Sequence, residues 1–378
     1  MTFVCDMSIK HTYYVNALMN INTSGNNDTC WMMCAASLPA SWSTDPGTYS
    51  FTVTETTTRG IFATFASIPG TILNLLVLLA MIRSPELRKE YLAPSIASIT
   101  VTDFLFSVYV LPATSYQTLN RRVSFPEGCT FYGLLGWGLW MVSAFNLTSI
   151  AGLRCFAINY PRKTKDQSFQ YGCKIIPILG WVLTLTFFLP SLTHQYGRFG
   201  LECKLFICNL INVDTEGNPM NLDPMAIYFM MIVFSGIILL ILNVLSYVQV
   251  SKQSQKLFNQ IKDTSIDEAL KVLQNEKKLQ MMVGLVTASF LLVYFPLALV
   301  LVAAPNVAYE YRSIGVISYG FAYFLAVIDP LVYIYSSERY RNEIRILLNP
   351  ILSQINKFNR NTNHTSKTEI QAQPSNIS

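Results

Sequence analysis

The sequence predicts an all-α membrane protein, a seven-transmembrane helix bundle followed by a short amphipathic eighth helix. Three observations carry this reading. Hydrophobic residues make up 51% of the 378 residues and charged residues 13%, where a soluble domain carries about 25% charged residues. The apolar residues lie in long blocks, each near the roughly 20 residues that a helix needs to cross a bilayer. Basic residues gather in alternate connections between the blocks. Length alone would suggest two soluble domains, but blocks almost free of charge override that.

The blocks run Ile61–Ile82, Leu92–Tyr116, Cys129–Ile158, Cys173–Leu192, Pro224–Val250, Lys278–Ala304 and Ser313–Tyr335. Hydrocarbon offers the backbone no partners, so an open chain crosses it as helix. One set of connections holds Arg83, Arg88 and Lys89, then Arg162, Lys163 and Lys165, then six lysines between Lys252 and Lys278, then Arg339, Arg341 and Arg345. The positive-inside rule puts that set in the cytoplasm. The N-terminus is then outside and the C-terminus inside, as an odd number of spans requires. The expected organisation is an extracellular tail over 1–59, the bundle over 60–336, a membrane-surface helix over 337–349 and a disordered cytoplasmic tail over 350–378.

Residues 1–59 are polar and carry sequons at Asn22 and Asn27, candidate glycosylation sites for an outer tail. No apolar h-region marks a signal peptide in "MTFVCDMSIK", so the first span is expected to direct insertion. Cys129, Cys203 and Cys208 fall at the oxidising outer face, whereas Cys155 and Cys173 fall at the inner face and are expected to be free thiols. No cysteine spacing has a zinc pattern. The polar connection 251–275 is expected to continue its flanking helices. After the last span, Tyr340, Ile344, Leu347 and Leu348 share one helical face and Glu338, Arg341, Glu343 and Arg345 stand off it, the pattern of a helix lying on a membrane.

Polar groups inside spans are expensive and mark function. Here they are Asn74, Asp103, Ser143, Asn146 and Asp329. Two carboxylates at such depth need partners, a proton or a cation. Pro112, Pro190, Pro296 and Pro330 each remove a backbone bond and can kink a helix. From Cys129 to Arg154 is 25 residues, roughly 37 Å of helix against a hydrocarbon core of about 30 Å. Cys129 should therefore reach the outer surface and Arg154 the inner one, where its long side chain can snorkel.

These residues together resemble the rhodopsin-like (class A) G-protein-coupled receptors over about residues 60–348. "GTILNLLV" is similar to the first-helix G-N-x-x-V pattern, centred on Asn74. "SITVTDFL" is similar to the second-helix L-A-x-x-D pattern, with Asp103. Cys129 stands where the third helix begins with a disulfide cysteine, and "RCFAINYP" keeps the arginine and the loop proline of the D-R-Y region. Trp181 matches the fourth-helix tryptophan, "FLLVYFP" resembles F-x-x-C-W-x-P, "DPLVY" resembles N-P-x-x-Y, and Tyr340 matches the aromatic residue of the eighth helix. Within the family the chain resembles the arthropod orphan receptors of the moody and trapped-in-endoderm kind.

The resemblance implies a cell-surface receptor in the plasma membrane that turns an extracellular ligand into G-protein activation. It makes Arg154, Tyr247, Glu276, Tyr294, Pro296, Asp329, Pro330 and Tyr333 the switch residues, with Glu276 the inactive-state partner of Arg154. It places Asn74, Asp103, Ser143 and Asp329 around a sodium pocket, the ion an allosteric modulator and no cofactor being required. It implies a disulfide from Cys129 to Cys208 or Cys203. Heterotrimeric G protein, arrestin, receptor kinases and membrane lipids are the implied partners, and no nucleic acid.

The chain departs from the family at Leu153 and Cys155, which flank Arg154 in place of an acid and a tyrosine. It departs again at Tyr294, in place of the toggle tryptophan, and at Leu239, where the fifth helix lacks its proline. With Leu153 unable to hold Arg154, a weakened latch and raised basal signalling are expected. Trp137, Trp140, Tyr294, Leu297 and Tyr323 are the candidate ligand-pocket side chains, an aromatic and nearly neutral set. Gly136 stands where aminergic receptors carry an acid, which argues against a monoamine; the seventh span has no lysine, which argues against a retinal Schiff base. A lipid-like or apolar ligand, or the end of a peptide, suits such a cavity. Two other readings stand beside this one. A decoy receptor would fit the altered "LRC". A transporter would fit the buried aspartates, but no repeated halves appear. No nucleophile–base pair or metal cluster suggests an enzyme.

Overall fold

A computed structural model describes residues 53–120, 126–193, 195, 197–202, 207–211, 224–260, 266–303, 312–350 and 353–354. Asn22, Asn27, Cys203 and the tail beyond 354 lie outside the described residues, as do the side chains of Cys129, Glu276, Pro296 and Leu297.

Among the described residues, seven helices are long and apolar enough to cross a membrane. They are α1 (Val53–Arg83), α2 (Ala93–Asn120), α3 (Pro126–Asn159), α4 (Gln167–Leu192), α5 (Pro224–Gln260), α6 (Ile266–Ala303) and α7, which runs Arg312–Tyr323 and, after a turn at Phe324, Leu325–Ser336. A further helix, α8, covers 338–350. Helices α5 and α6 extend into the polar connection, as expected from the sequence. One element was not foreseen: β1 (Arg198–Glu202) and β2 (Ile207–Ile211) form an antiparallel hairpin with Leu201 opposite Cys208. It packs against α3. The bundle thus has a hairpin end and, opposite it, an Arg154 end.

The burial pattern of α1 is the reverse of a soluble helix. Phe65, Ile68, Ile72, Leu75, Leu79 and Ile82 recur every three or four residues and are exposed. Ala63, Ala66, Asn74, Val77 and Ala80 occupy the opposite face and are buried. Small and polar residues inside with large aliphatics outside suit a helix solvated by lipid, where association depends on close packing and hydrogen bonds. Close packing is literal at Gly180, where an added Cβ would stand 2.6 Å from Phe145 of α3.

Around the ring, α1 packs on α2 and α7, α6 on α5 and α7, and α3 on α2, α4, α5 and, more thinly, α6. Polar side chains tie the helices in pairs. Ser98 of α2 accepts from Asn146 Nδ2 of α3 (3.1 Å) and from Trp181 Nε1 of α4 (3.0 Å). Asn243 of α5 donates to Thr287 Oγ1 of α6 (2.9 Å).

Two prolines leave carbonyls that α1 satisfies. Pro330 has no N–H for the carbonyl of Ala326, four residues earlier. Asn74 Nδ2 donates to that carbonyl at 2.7 Å. In α2, residues Phe106–Val110 form a π turn in which the Leu111 N–H reaches the Phe106 carbonyl. Pro112 follows and offers nothing to the Ser107 carbonyl, five residues back. Ser67 Oγ donates there at 2.8 Å. Ser67 and Asn74 are two turns apart on one face of α1, so a single helix repairs both proline breaks.

At the Arg154 end, α8 buries Tyr340 and Ile344 and half-buries Leu347 and Leu348, the face expected from the sequence. Its other face makes ion pairs. Arg339 meets Glu90 at 2.6 Å, Glu338 meets Lys278 of α6 at 2.9 Å, and Glu343 meets Arg83 of α1 at 3.8 Å.

Candidate functional site

Two cavities lie stacked along α3. The inner one, about 20 Å³, is lined by Asp103, Ser143 and Asp329, with Phe106, Trp140 and Tyr294 among its apolar walls. The fold thus brings the three expected oxygen donors to one space. Asp103 Oδ2 and Asp329 Oδ1 are buried and make no hydrogen bond. Ser143 Oγ lies 2.7 Å from Thr102 Oγ1. The volume exceeds the roughly 10–15 Å³ that one water needs. Carboxylate and hydroxyl oxygens are the donors a hard cation takes, so the residues present fit a single sodium ion. No group of three or more His, Cys, Asp or Glu side chains suited to a metal occurs among the described residues; the donor set is two carboxylates and a hydroxyl. Asn74 does not line the cavity. It stands behind the wall, holding the Ala326 carbonyl.

The outer cavity, about 50 Å³, opens toward the hairpin end. Trp137, Trp140 and Tyr323 line it as expected, together with Gly136 and, from β2, Cys208. Tyr294 lines the inner cavity instead and meets Trp140 edge-on at 5.4 Å. Trp140 and Phe106 face both cavities and so form the partition between them.

The expectation of a nearly neutral pocket is corrected here. Arg59 of α1 is 1% exposed and lines the outer cavity. The sequence reading missed it because it sits at the polar edge of the first span, where arginines normally point to water. Only the packing of α7 over it shows that it is enclosed. Gln117, Tyr132 and Tyr319 are also in the lining and were not foreseen. Cys208 is disulfide-bonded, and Gln117 Nε2 donates to its sulfur at 3.6 Å.

At the other end Arg154 is 1% exposed. It does not snorkel; this corrects the expectation from helix length. Its Nη1 donates to the hydroxyl of Tyr91 at 3.2 Å. Tyr91 precedes α2 and rests on Phe169 of α4, whose ring stacks in turn on Phe156 of α3 at 5.2 Å. The length estimate was sound, but it ignored these neighbours closing over the guanidinium. Glu276 belongs to α6, and its pairing with Arg154 lies outside the described residues. Tyr333 is buried, whereas Tyr247 is 65% exposed on the outer face of α5, so the structure does not bring Tyr247 to Arg154. Cys155 and Cys173 are free, as expected.

The model of the seven-transmembrane receptor (rhodopsin) family matches residues 73–333. The chain belongs to that family, one of receptors and not of enzymes, and its seven-helix fold is that of a multi-pass plasma-membrane protein. Among relatives, protein trapped in endoderm-1 of Drosophila melanogaster is 22% identical over 72% of this chain and 72% of its own length. The G-protein coupled receptor moody of the same organism is 21% identical over 73% of this chain and 48% of its own. Galanin receptor 2b of Danio rerio is 24% identical over 75% and 73%. Squid rhodopsin shares the fold, with a TM-score of 0.67, 19% identity, and coverage of 80% of this chain and 88% of that one.

Proposed function

We propose that this protein is a cell-surface receptor that converts a ligand bound in the outer cavity into activation of a heterotrimeric G protein at the Arg154 end. The carrying observation is the partition. Trp140 and Phe106 wall both cavities, so a ligand pressing on them reshapes the space around Asp103 and Asp329. Asp329 precedes Pro330 in the half of α7 that Asn74 clamps, and a proline-broken helix has a discrete place to bend.

The hairpin end is extracellular in this reading, because β2 carries a disulfide-bonded cysteine and disulfides persist in oxidising compartments. The Arg154 end is cytoplasmic, with its lysines and arginines. Asn22 and Asn27 then lie outside the cell as glycosylation sites, Cys129 is the disulfide partner of Cys208, and α8 lies on the inner leaflet. Opening of α6 away from Arg154 admits a G-protein helix, a helix-in-groove contact, and the same cleft serves arrestin and receptor kinases. Glu276 restrains Arg154 until then, and Tyr247 and Tyr333 meet in the open state. A sodium ion held by Asp103, Ser143 and Asp329 favours the closed state. No monoamine is the ligand, since no carboxylate is among the described residues lining the outer cavity.

The test is a panel of G-protein dissociation biosensors in cells expressing the native receptor, Arg154→Ala and Glu276→Ala at matched surface levels. Native basal signal in at least one G-protein class is expected, reduced by Arg154→Ala and raised by Glu276→Ala. Signalling that Arg154→Ala leaves unchanged removes that residue from the switch.

A further inference from the structure

Gln117 gives the outer cavity a hydrogen-bonding edge that the protein leaves almost unused. It stands on α2 three residues after Thr114, and both line the cavity, one helical turn apart. Gln117 is 4% exposed. A buried carboxamide ordinarily finds partners for its N–H groups and its carbonyl. Here, among the described residues, the amide meets the sulfur of Cys208 alone. Nε2 donates to that sulfur at 3.6 Å, and Oε1 lies 3.7 Å from the same atom. Cys208 is disulfide-bonded, so its sulfur has no hydrogen to give and accepts weakly. The carbonyl is therefore without a donor. Turning the amide over changes little, because both ends face the one sulfur at similar distances. A buried amide so poorly satisfied is costly, and this one borders a cavity.

We infer that Gln117 recognises a primary carboxamide carried on an apolar or aromatic body. Two primary amides meet edge to edge, each giving an N–H to the carbonyl of the other, so both ends of Gln117 are satisfied at once. The weak contact with sulfur is a small loss in that exchange. Trp137, Trp140 and Val110, in the same lining, face the body of the ligand. Arg59, also in the lining, is already engaged by the Tyr323 hydroxyl and the Tyr319 ring. An ester offers a carbonyl and no N–H. A secondary amide is trans, with its N–H pointing away from its carbonyl, so it cannot make both bonds along one edge. The same contact ties the ligand to switching. Thr114 and Gln117 follow the π turn at Phe106–Val110, and Phe106 walls both cavities. A ligand drawing on Gln117 acts on the half of α2 that continues through this turn to Asp103.

The site rests on the receptor reading for its biological meaning, but its test is binding, which needs no G protein. Purified full-length receptor in lipid nanodiscs is titrated with two matched series and followed by thermal unfolding. One series is 4-phenylbutanamide, its N-methylamide, methyl 4-phenylbutanoate and 4-phenylbutylamine. The other is octanamide, its N-methylamide, methyl octanoate and octylamine. In at least one series the primary amide is expected to stabilise the native receptor at concentrations about tenfold below the other three, because a site built to bond an N–H rejects analogues that lack it. Gln117→Met, close in length and without an amide, is expected to abolish that preference. Should Gln117→Met fail to fold, Gln117→Glu replaces it. A carboxylate accepts and does not donate, so there the preference should pass from the amide to the amine.

No primary-amide preference in either series overturns the inference. So does a preference that survives in Gln117→Met, or one that stays with the amide in Gln117→Glu. Amide binding through Gln117 without any G-protein response sustains the site while the receptor reading falls. A G-protein response to other ligands, with no amide preference, sustains the receptor reading while the site falls.

Discussion

At the scale of single residues, the structure assigns concrete work to side chains that the motifs only flag. Asn74 is the clearest case. Its amide fills the carbonyl that Pro330 leaves open. A buried carbonyl stripped of its partner costs about 1–3 kcal/mol. Asn74→Leu is therefore expected to lower the thermal midpoint by several degrees. Pro330→Ala restores the missing N–H, so in that background Asn74→Leu should cost clearly less. Equal losses in both backgrounds, in a double-mutant unfolding cycle, would show that the amide does something else. Tyr91 is a residue that no motif announced. Its hydroxyl holds Arg154, which has no acid beside it in the chain. Tyr91→Phe is expected to raise basal G-protein activation in the biosensor assay; a basal signal equal to the native one would take Tyr91 out of the latch.

At the scale of elements, hydropathy and periodicity carry the spans and the buried face of α8, because both depend on composition along one helix. They carry nothing of the hairpin. Phe199 and Leu210 are buried and directly paired across it, a two-residue alternation that five-residue strands scarcely register beside spans of 20 or more. They also miss what one helix does for another: Ser67 repairing α2, or Arg339 of α8 reaching Glu90. That last contact has a measurable consequence. Burial holds the Glu90 carboxyl above its ordinary value, although Arg339 beside it pulls the other way. The folded state then binds a proton more readily than the unfolded one. The contribution of Glu90 to stability is greatest below its unfolded value, near 4.5, and falls as pH rises through the folded one. The thermal midpoint of Glu90→Gln should accordingly slope less with pH than the native midpoint as pH rises from near 4.5. Parallel slopes would mean that Glu90 titrates as an ordinary surface acid.

At the scale of the whole molecule, the motifs brought Asp103, Ser143 and Asp329 to attention from three separate helices, and the fold sets them around one cavity. Arg59 shows where that legibility stops. An arginine at a helix edge looks the same in sequence whether it faces water or is enclosed, and only the closure of α7 on α1 decides. The inner cavity has a test that needs no ligand. Sodium chloride is expected to raise the thermal midpoint above choline chloride at equal ionic strength, and Asp103→Asn should erase the difference. A native receptor indifferent to sodium would leave the two carboxylates to share a proton instead.

The central claim is that this bundle drives nucleotide exchange on a G protein. The direct measurement is GTP-analogue uptake by purified heterotrimers of each major class, mixed with the receptor in nanodiscs and no added ligand. The native receptor is expected to accelerate uptake by at least one class over empty nanodiscs, with Arg154→Ala returning the rate toward baseline. Native rates equal to those of empty nanodiscs for every class, from protein whose cooperative unfolding shows it to be folded, would contradict it.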